Sequence, residues 1–383
     1  MSVPVNSSEA PAAPRRTRAQ ESWRMLKKNR LAFAGLAFFV LFFIVALLGL
    51  VLTSGVKPVI DPSVVRLQER LRPPLSSPAL ETLRPDEVPS LGIYVLGTDE
   101  LGRDVLARML QGAWVSLTVG FVAVGISVLV GIFMGGVAGY FGESLVRLDH
   151  LLACLFLVSG GASLAAGGWL PGAASFLIGL AFAIYSTRVR GGNGSPLRGR
   201  AGFLSRGLVS LDTLIMRFVD IMLCFPSFFL ILTVVALLPA SIYNIMIVIG
   251  LTSWEVTARL VRAEFLSLRE RDFVTAARAL GLSDWRIIFR HMIPNAIAPV
   301  LVSAIIGIGS AILTEAGLSF LGFGVPPPHA TWGNILSDGK RFIFDAPWLT
   351  FGPGFAILLV VLSFNLFGEG LMDALNPKLR ERY

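Results

Sequence analysis

Few residues in this chain have the types and spacing that catalysis or metal binding requires. The three histidines, His150, His291 and His329, are far apart, and both cysteines lie in apolar stretches. The sequence contains no His-Glu-x-x-His motif and no paired cysteines, so we expect no metal site. It also lacks the Gly-x4-Gly-Lys-Ser/Thr loop that binds nucleotide phosphates. We therefore expect that the chain is not an enzyme, binds no cofactor and hydrolyses no ATP itself.

Two acidic residues beside apolar stretches, Asp220 and Glu315, are candidates for a transport pathway. Ionised groups are costly in lipid, and those that occur there are often functional. Asp220 follows Arg217 by three residues, so the two side chains could pair on one helix face. Glu315 lies near the end of its apolar stretch, where snorkelling or helix capping explains it equally well. Such acids would also serve the alternative hypothesis, an ion-coupled secondary transporter.

The elements that position these residues are predicted to be membrane spans. The 383 residues are 54% hydrophobic and only 15% charged, whereas a soluble domain has about 25% charged residues. Disorder is excluded because the chain is too apolar. Nucleic-acid binding would explain the net charge of +8 but not the missing charged surface. The composition therefore predicts an all-α polytopic membrane protein whose surface contacts lipid and no nucleic acid.

Uncharged runs of about 20 residues, the length that crosses a bilayer, define the spans. They lie at 31–53, 112–140, 218–249, 296–314 and 351–367, and the third run contains a single charged residue, Asp220, near its start. A turn at Pro239 divides the third run into spans at about 213–237 and 242–258, and Pro226 predicts a kink. Two shorter runs at 151–166 and 170–186 predict an added helical hairpin or a re-entrant loop. Trp332 and Trp348 are interpreted as anchors at the membrane–water interface.

The distribution of basic residues predicts the orientation of these segments. Alternate segments carry 22 basic residues on one side and 9 on the other, which places both termini in the cytoplasm. The predicted segments are a basic cytoplasmic N-terminus (1–30), the first span (31–54), an external loop (55–111), the membrane core (112–317), a second external loop (318–350), the last span (351–373) and a cytoplasmic tail (374–383). The core includes an insertion at about 143–207 and a cytoplasmic loop at 264–294.

The loop at 264–294 has a pattern that is unusual for a connector. Phe273, Ala276, Ala277 and Leu280 recur at i, i+3, i+4 and i+7, which places them on one face of a short helix. Gly281 is expected to end that helix, and Ser283 to cap a second one. A face of small residues favours a groove on another protein, although a helix lying on lipid headgroups would also be amphipathic.

This loop resembles the EAA loop of bacterial ABC importer permeases. The resemblance rests on Thr275-Ala276-Ala277, then Gly281, then His291-Met292-Ile293-Pro294; Thr275 stands where glutamate is usual. Further segments resemble the C-type subunit of the dipeptide, oligopeptide and nickel importers. They are Leu96-Gly97-Thr98-Asp99 with Gly102-Arg103-Asp104, Met216-Arg217 with Asp220 and Phe225-Pro226, Glu315 with Leu318-Ser319-Phe320-Leu321-Gly322, Trp332-Gly333-Asn334, and Asn376-Pro377.

The resemblance implies the transmembrane domain of a type I ABC importer, with six core spans and the added hairpin, in the bacterial inner membrane. The chain would form half of a translocation pathway, most simply for peptides. Its implied partners are a homologous B-type permease in a heterodimer, two ATPase subunits that bind ATP and magnesium, and an extracytoplasmic substrate-binding protein.

The resemblance also assigns roles to residues of this chain. The residues that would couple it to the ATPase are Asp272, Phe273, Thr275, Ala276, Ala277, Leu280, Gly281, His291 and Pro294. Asp272, one helical turn before Thr275 and on a neighbouring face, could supply the charge that Thr275 lacks. An outer-side motif, Asp99, Gly102, Arg103 and Asp104, would seal the pathway or meet the binding protein.

Overall fold

The computed structural model is predominantly helical. It describes residues 18–375, apart from 56–57, 82, 85–86, 143, 148–155, 158, 162, 164–172 and 182–206. Its helices are α1 (Arg18–Lys28), α2 (Arg30–Thr53), α3 (Val105–Phe141), α4 (Leu211–Cys224), α5 (Ser227–Leu237), α6 (Ile242–Leu251), α7 (Glu255–Arg269), α8 (Asp272–Ala279), α9 (Asp284–Ile287), α10 (Ile293–Phe320), α11 (Trp332–Gly339) and α12 (Trp348–Leu375). Short 3-10 turns occupy Leu67–Glu69 and Lys340–Phe342, and a π-turn at Ile288–Met292 joins α9 to α10.

Five helical segments of the described chain are long and apolar enough to cross a membrane: α2, α3, α6 together with α7 (Ile242–Arg269), α9 together with α10 (Asp284–Phe320), and α12. The number rises to six if α4 and α5 form one bent span. The prediction of a polytopic helical membrane protein is confirmed. The expected turn before α6 is present, since α5 ends at Leu237 and α6 begins at Ile242. The break at Pro226 also agrees with the expected kink, because proline cannot donate the backbone hydrogen bond that would continue the helix.

The first of two compact units comprises Met1–Val128, Phe228–Ser253 and Ile297–Tyr383. Its core joins aromatic and branched side chains of α2, α3, α10, α11 and α12, including Phe42, Leu117, Ile312, Trp332 and Phe364. A second cluster joins α3, α5, α6 and α10. Small residues bring the helices close together: a Cβ at Gly49 of α2 would lie 2.1 Å from the carbonyl oxygen of Leu110 on α3.

The second unit comprises Leu129–Ser227 and Trp254–Ala296. Trp254 and Ala258 pack against Val130, Met134 and Val219, which join α7 to α4 and to the end of α3. Arg262 of α7 forms a two-point ion pair with Asp212 of α4, in which Nη2 and Oδ2 are 2.6 Å apart. This pair fixes the contact between α4 and α7.

Two short strands mark the ends of the predicted insertion. β1 (Leu145–Arg147) pairs antiparallel with β2 (Gly207–Ser210), so the chain returns to its point of departure, as both a hairpin and a re-entrant loop require. Between the strands, residues 173–181 are helical. Most of the predicted hairpin lies outside the described residues, so the prediction of two extra spans stays a prediction. The Asn376-Pro377 motif also lies outside them.

One boundary differs clearly from the sequence prediction. α3 begins at Val105, although the first uncharged run in this region begins at 112. Arg108 and Gln111 lie in its first two turns and are buried. Their side chains bond to other parts of the chain, Arg108 to Asp99 and Gln111 to the amide of Ala330. Hydropathy alone places the start too late because it cannot register polar groups that are paired inside the protein.

Candidate functional site

The helix α8, in the loop that resembles the EAA loop, presents an apolar face to solvent. Phe273, Ala276 and Leu280 are exposed, Leu280 to 81%. Val274 and Ala277 are buried and form the inner face. The expectation that Ala277 belongs to the exposed face is therefore wrong, because the helix turns its Val274–Ala277 side toward its own chain. The exposed face is the one available to a partner.

Gly281 ends α8 as expected. Its φ of +73° lies in the left-handed region that favours glycine. Its N–H donates to the carbonyl of Arg278, and the N–H of Leu282 donates to the carbonyl of Ala277. These two bonds form a Schellman motif, which satisfies carbonyls that the helix end would leave unpaired. Ser283 occupies the N-cap position of α9, but its side chain makes no capping hydrogen bond.

The two residues considered for the missing glutamate have different surroundings. The hydroxyl of Thr275 donates to the carbonyl of Arg271 in its own helix, at 3.2 Å. Asp272 is exposed in the first turn of α8, where the helix dipole favours a negative charge, and forms no ion pair within the described residues. Asp272 is therefore the acid that α8 leaves available for a partner.

A polar contact fastens this loop to the end of α3. The hydroxyl of Tyr140 donates to Asp284 Oδ1 at 2.6 Å, and the guanidinium of Arg278 lies 5.1 Å from the centre of the Tyr140 ring. Because Arg278 belongs to α8 and Asp284 to α9, one tyrosine holds both helices. Tyr140 and Asp284 are site residues that the sequence reasoning missed, and no spacing rule links positions so far apart.

His291 lies in the π-turn that joins α9 to α10, and Pro294 is the second residue of α10. The N–H of Ile293 donates to the carbonyl of Ile288, five residues back. Pro294 has no N–H and its ring would crowd the carbonyl four residues earlier, so a wider turn relieves the helix at this point. The side-chain amide of Asn295 donates to the carbonyl of His291 at 2.6 Å. Pro294 therefore lies inside a continuous helical segment and does not mark the start of a new span.

The outer-side motif is part of a charge cluster. The buried carboxylate of Asp99 accepts the backbone N–H groups of Leu101 and Arg103, each at 2.9 Å. Its other oxygen binds Arg103 Nε at 2.7 Å and Arg108 Nη1 at 2.6 Å. We call Asp99, Arg103, Arg108, Asn334 and Asp338 the Asp99 cluster.

Asp338 completes this cluster from α11. It pairs with Arg108 at 2.9 Å and with Arg103 at 3.3 Å, and Arg108 also donates to Asn334 at 3.4 Å. Arg108 and Asp338 were not predicted. The Trp-Gly-Asn motif could have indicated Asp338, because Asp338 follows Asn334 of that motif by one helical turn. The cluster borders a cavity of about 510 Å³, which Glu100, Arg103, His329 and Asp338 help to line.

Gly102 and Asp104 shape the chain around this cluster. Gly102 has a φ of +70°, and a Cβ there would lie 1.8 Å from the carbonyl oxygen of Arg66, so only glycine fits. Asp104 caps α3 by accepting the N–H of Leu106 at 2.8 Å. Burial raises the pKa of the Asp104 carboxyl, although two backbone hydrogen bonds and Arg66 oppose the shift. Both residues fix the start of α3.

The interface-anchor interpretation is wrong for Trp332. Its side chain is only 2% exposed, packs against Phe42, and donates from Nε1 to the carbonyl of Met109 at 3.1 Å. Trp348 is half-buried and donates to the carbonyl of Thr98 at 3.3 Å. Both tryptophans join the segments on either side of the Asp99 cluster.

The two candidate pathway acids have partners within their own units. Asp220 pairs with Arg217, as predicted, at 3.6 Å, and also with Arg259, which was not predicted. Glu315 is completely buried, and its carboxylate accepts hydrogen bonds from the hydroxyls of Ser319 at 2.6 Å and Ser116 at 3.3 Å. Burial excludes snorkelling of Glu315, and its role in a transport pathway stays a prediction.

Comparisons with known proteins show which proteins this chain is similar to. A family model described as a binding-protein-dependent transport system inner membrane component matches residues 201–381. A model of the N-terminal TM domain of oligopeptide transport permease C matches residues 17–74.

Curated relatives align with most of the chain. A dipeptide transport system permease protein of Alkalihalophilus pseudofirmus is 35% identical over 94% of this chain and 90% of that protein. One of Haemophilus influenzae is 32% identical over 96% of this chain and 97% of that protein. A glutathione transport system permease protein of Pectobacterium atrosepticum is 31% identical over 78% of this chain and 76% of that protein.

Proposed function

The chain belongs to the family of binding-protein-dependent transport system inner membrane components, and we propose that it is the membrane-spanning permease subunit of an ATP-driven importer of peptides. Several apolar helices and this membership make it a multi-pass inner-membrane protein. The names of its relatives, which include dipeptide and glutathione permeases, support peptides as the substrate class.

Our proposal for energy coupling rests on one observation, the exposed apolar face of α8. Phe273, Ala276 and Leu280 stand clear of the chain's own core, and the Schellman motif at Gly281 holds the end of the helix. A helix with this face suits a groove on a cytoplasmic ATPase. Tyr140 would carry the motion of α8 and α9 to α3, because it contacts a residue of each. In this arrangement both chain termini are cytoplasmic.

The proposed assembly contains this chain, a homologous B-type permease, two ATPase subunits and an extracytoplasmic substrate-binding protein. ATP and magnesium would bind only to the ATPases, and their closure would shift the permease pair between two conformations. The cavity beside the Asp99 cluster would lie on the side where the binding protein delivers its substrate.

Co-purification from native membranes tests the assembly. We expect the tagged chain to bring along a second permease and two ATPases, and transport in reconstituted vesicles to need ATP. A homodimer without ATPase, or uptake driven by an ion gradient in its absence, would contradict the proposal. The second outcome would favour an ion-coupled secondary transporter.

The role of Asp272 has its own test, the substitution Asp272→Ala in the assembled transporter. We expect loss of peptide uptake and of substrate-stimulated ATP hydrolysis, because α8 would lose the charge that it offers to the ATPase. Glu270→Ala is the matched control, since Glu270 is an exposed acid just before α8. Unchanged uptake in Asp272→Ala, or equal losses in both variants, would show that Asp272 does not replace the missing glutamate.

A further inference from the structure

A cavity with basic lining residues lies beside the π-turn that precedes α10. None of its lining residues belongs to the exposed face of α8. The cavity has a volume of about 590 Å³ and is lined by Leu282, Arg286, Phe289, Arg290 and His291. This volume is in the range of about 300–1,000 Å³ that small-molecule sites occupy. We call it the basic cavity.

No acid among the described residues forms an ion pair with the arginines of the basic cavity. Arg286 and Arg290 are exposed, one helical turn apart, and neither forms an ion pair within the described part of the chain. The only acid between 271 and 315 apart from Asp272 is Asp284, and its carboxylate accepts the hydroxyl of Tyr140. The cavity therefore suits an anionic ligand, and guanidinium groups bind phosphate with particular preference.

Two exposed aromatic rings stand beside these arginines. Trp285 is 55% exposed and Phe289 is 63% exposed, and their rings stack with centres 5.9 Å apart. No aspartate, glutamate, lysine or arginine occurs from 292 to 314, so the apolar part of the span begins just after this turn. Aromatic rings and basic residues at the end of a span are typical of the level of the lipid headgroups.

We propose that the basic cavity binds the phosphate-bearing headgroup of an anionic phospholipid. Arg286 and Arg290 contact the phosphate, and Trp285 and Phe289 lie against the start of the acyl chains. The site requires only that α10 spans a membrane and does not depend on the transported substrate. Its ligand would hold the π-turn at a fixed depth in the bilayer.

Quenching of Trp285 fluorescence by brominated lipids tests the proposal on the full chain in phosphatidylcholine vesicles. Brominated phosphatidylglycerol and brominated phosphatidylcholine are compared at equal mole fraction, and the Trp285→Phe variant isolates the signal of Trp285. We expect stronger quenching by phosphatidylglycerol. In Arg286→Gln/Arg290→Gln the preference should fall by a factor of about five for each arginine, the contribution of one basic residue near an anionic membrane surface.

The matched control is Arg24→Gln/Arg30→Gln, which removes two exposed arginines beside the first span. The proposal requires that this variant keep the preference of the wild-type chain. No preference in the wild type, or equal losses in both double variants, would overturn it.

Two competition experiments separate the lipid from other anions. Displacement of the lipid by millimolar inorganic phosphate would assign the cavity to a soluble phosphate compound and overturn the proposal. Loss of the preference for phosphatidylglycerol in the assembled transporter would assign the cavity to an acidic surface of a partner protein and would also overturn the proposal. If the preference for phosphatidylglycerol persists in both experiments, the result supports binding of a phospholipid headgroup.

Discussion

Asp99→Asn is the substitution that most directly tests whether the Asp99 cluster stabilises the fold. Asparagine at this position keeps an oxygen for the N–H groups of Leu101 and Arg103. Its amide nitrogen, however, replaces the oxygen that accepts from Arg103 at 2.7 Å and from Arg108 at 2.6 Å. Donor hydrogens would then face donor hydrogens, and Arg108, which is itself buried, would lose its closest anion.

The size of the effect follows from the burial of the pair. Removing one partner of a buried ion pair costs about 3–5 kcal/mol, because the other charge stays buried without compensation. Asp338 still pairs with both arginines, and it is 29% exposed. We therefore expect a loss near the lower end of that range, about 3 kcal/mol of the free energy of unfolding.

The assay is denaturant unfolding of the full chain in detergent micelles, followed by tryptophan fluorescence. Trp332 and Trp348 report on this region because both bond to segments beside the cluster. The control is Glu100→Gln, which removes the same charge from the next residue, half-buried and without an ion pair among the described residues. We expect it to change the free energy of unfolding by less than about 0.5 kcal/mol, as for most surface substitutions.

A double-mutant cycle with Arg108→Gln tests the reasoning itself. If Asp99 and Arg108 interact as the structure shows, the double variant should lose less than the sum of the single losses, by about 1 kcal/mol or more. Additive losses, or a loss in Asp99→Asn no larger than in Glu100→Gln, would refute the argument that this pair is a buried contact.

Three further substitutions test individual features. Gly281→Ala should destabilise the end of α8 by about 1–2 kcal/mol, because alanine is strained at a φ of +73°. A Cβ at this position would have open space, so the strain comes from the backbone and not from a clash. Faster hydrogen exchange of the Leu282 amide would report the loss. Glu315→Gln should be tolerated, whereas Glu315→Leu should lower the free energy of unfolding by about 1–3 kcal/mol, because the hydroxyls of Ser116 and Ser319 lose their acceptor. Thermal or denaturant unfolding measures the difference, and equal stabilities of the two variants would contradict this expectation. Asp104→Asn keeps the cap but does not titrate. Because burial raises the pKa of Asp104 in the folded chain, the wild type should lose stability relative to this variant as the pH rises above the ordinary carboxyl pKa of about 3.9, and a difference independent of pH would contradict it.

The features that could be predicted from the sequence are those with a local cause. The spans follow from uncharged runs, the break at Pro226 from a missing N–H, and the end of α8 from the glycine at 281. The inner face of α8 could not be predicted, because Ala276 and Ala277 are the same residue type and only packing distinguishes them. The burial of Trp332 was missed for a similar reason: an interior and a membrane surface select the same apolar side chains.

The Asp99 cluster was out of reach of sequence reasoning for a different reason. Asp99 and Asp338 lie 239 residues apart in the chain but pair with the same two arginines, and no periodicity links them. Charge counting assigned Arg103 and Arg108 to an external loop, where arginines are normally solvated. In the structure their charges are compensated internally, so the polar first turns of α3 belong to the protein interior.

The structure thus ties α3 down at both of its ends. Its first turns are held by the Asp104 cap and by the pair between Arg108 and Asp99, and its last turn by the bond from Tyr140 to Asp284. The whole of α3 is 37 residues long, about 55 Å at 1.5 Å per residue. The expected role of the outer-side motif in sealing the pathway or meeting a binding protein stays a prediction. Asp99 and Asp104 of this motif are buried and accept hydrogen bonds from backbone N–H groups at or just before the start of α3, so they anchor this helix.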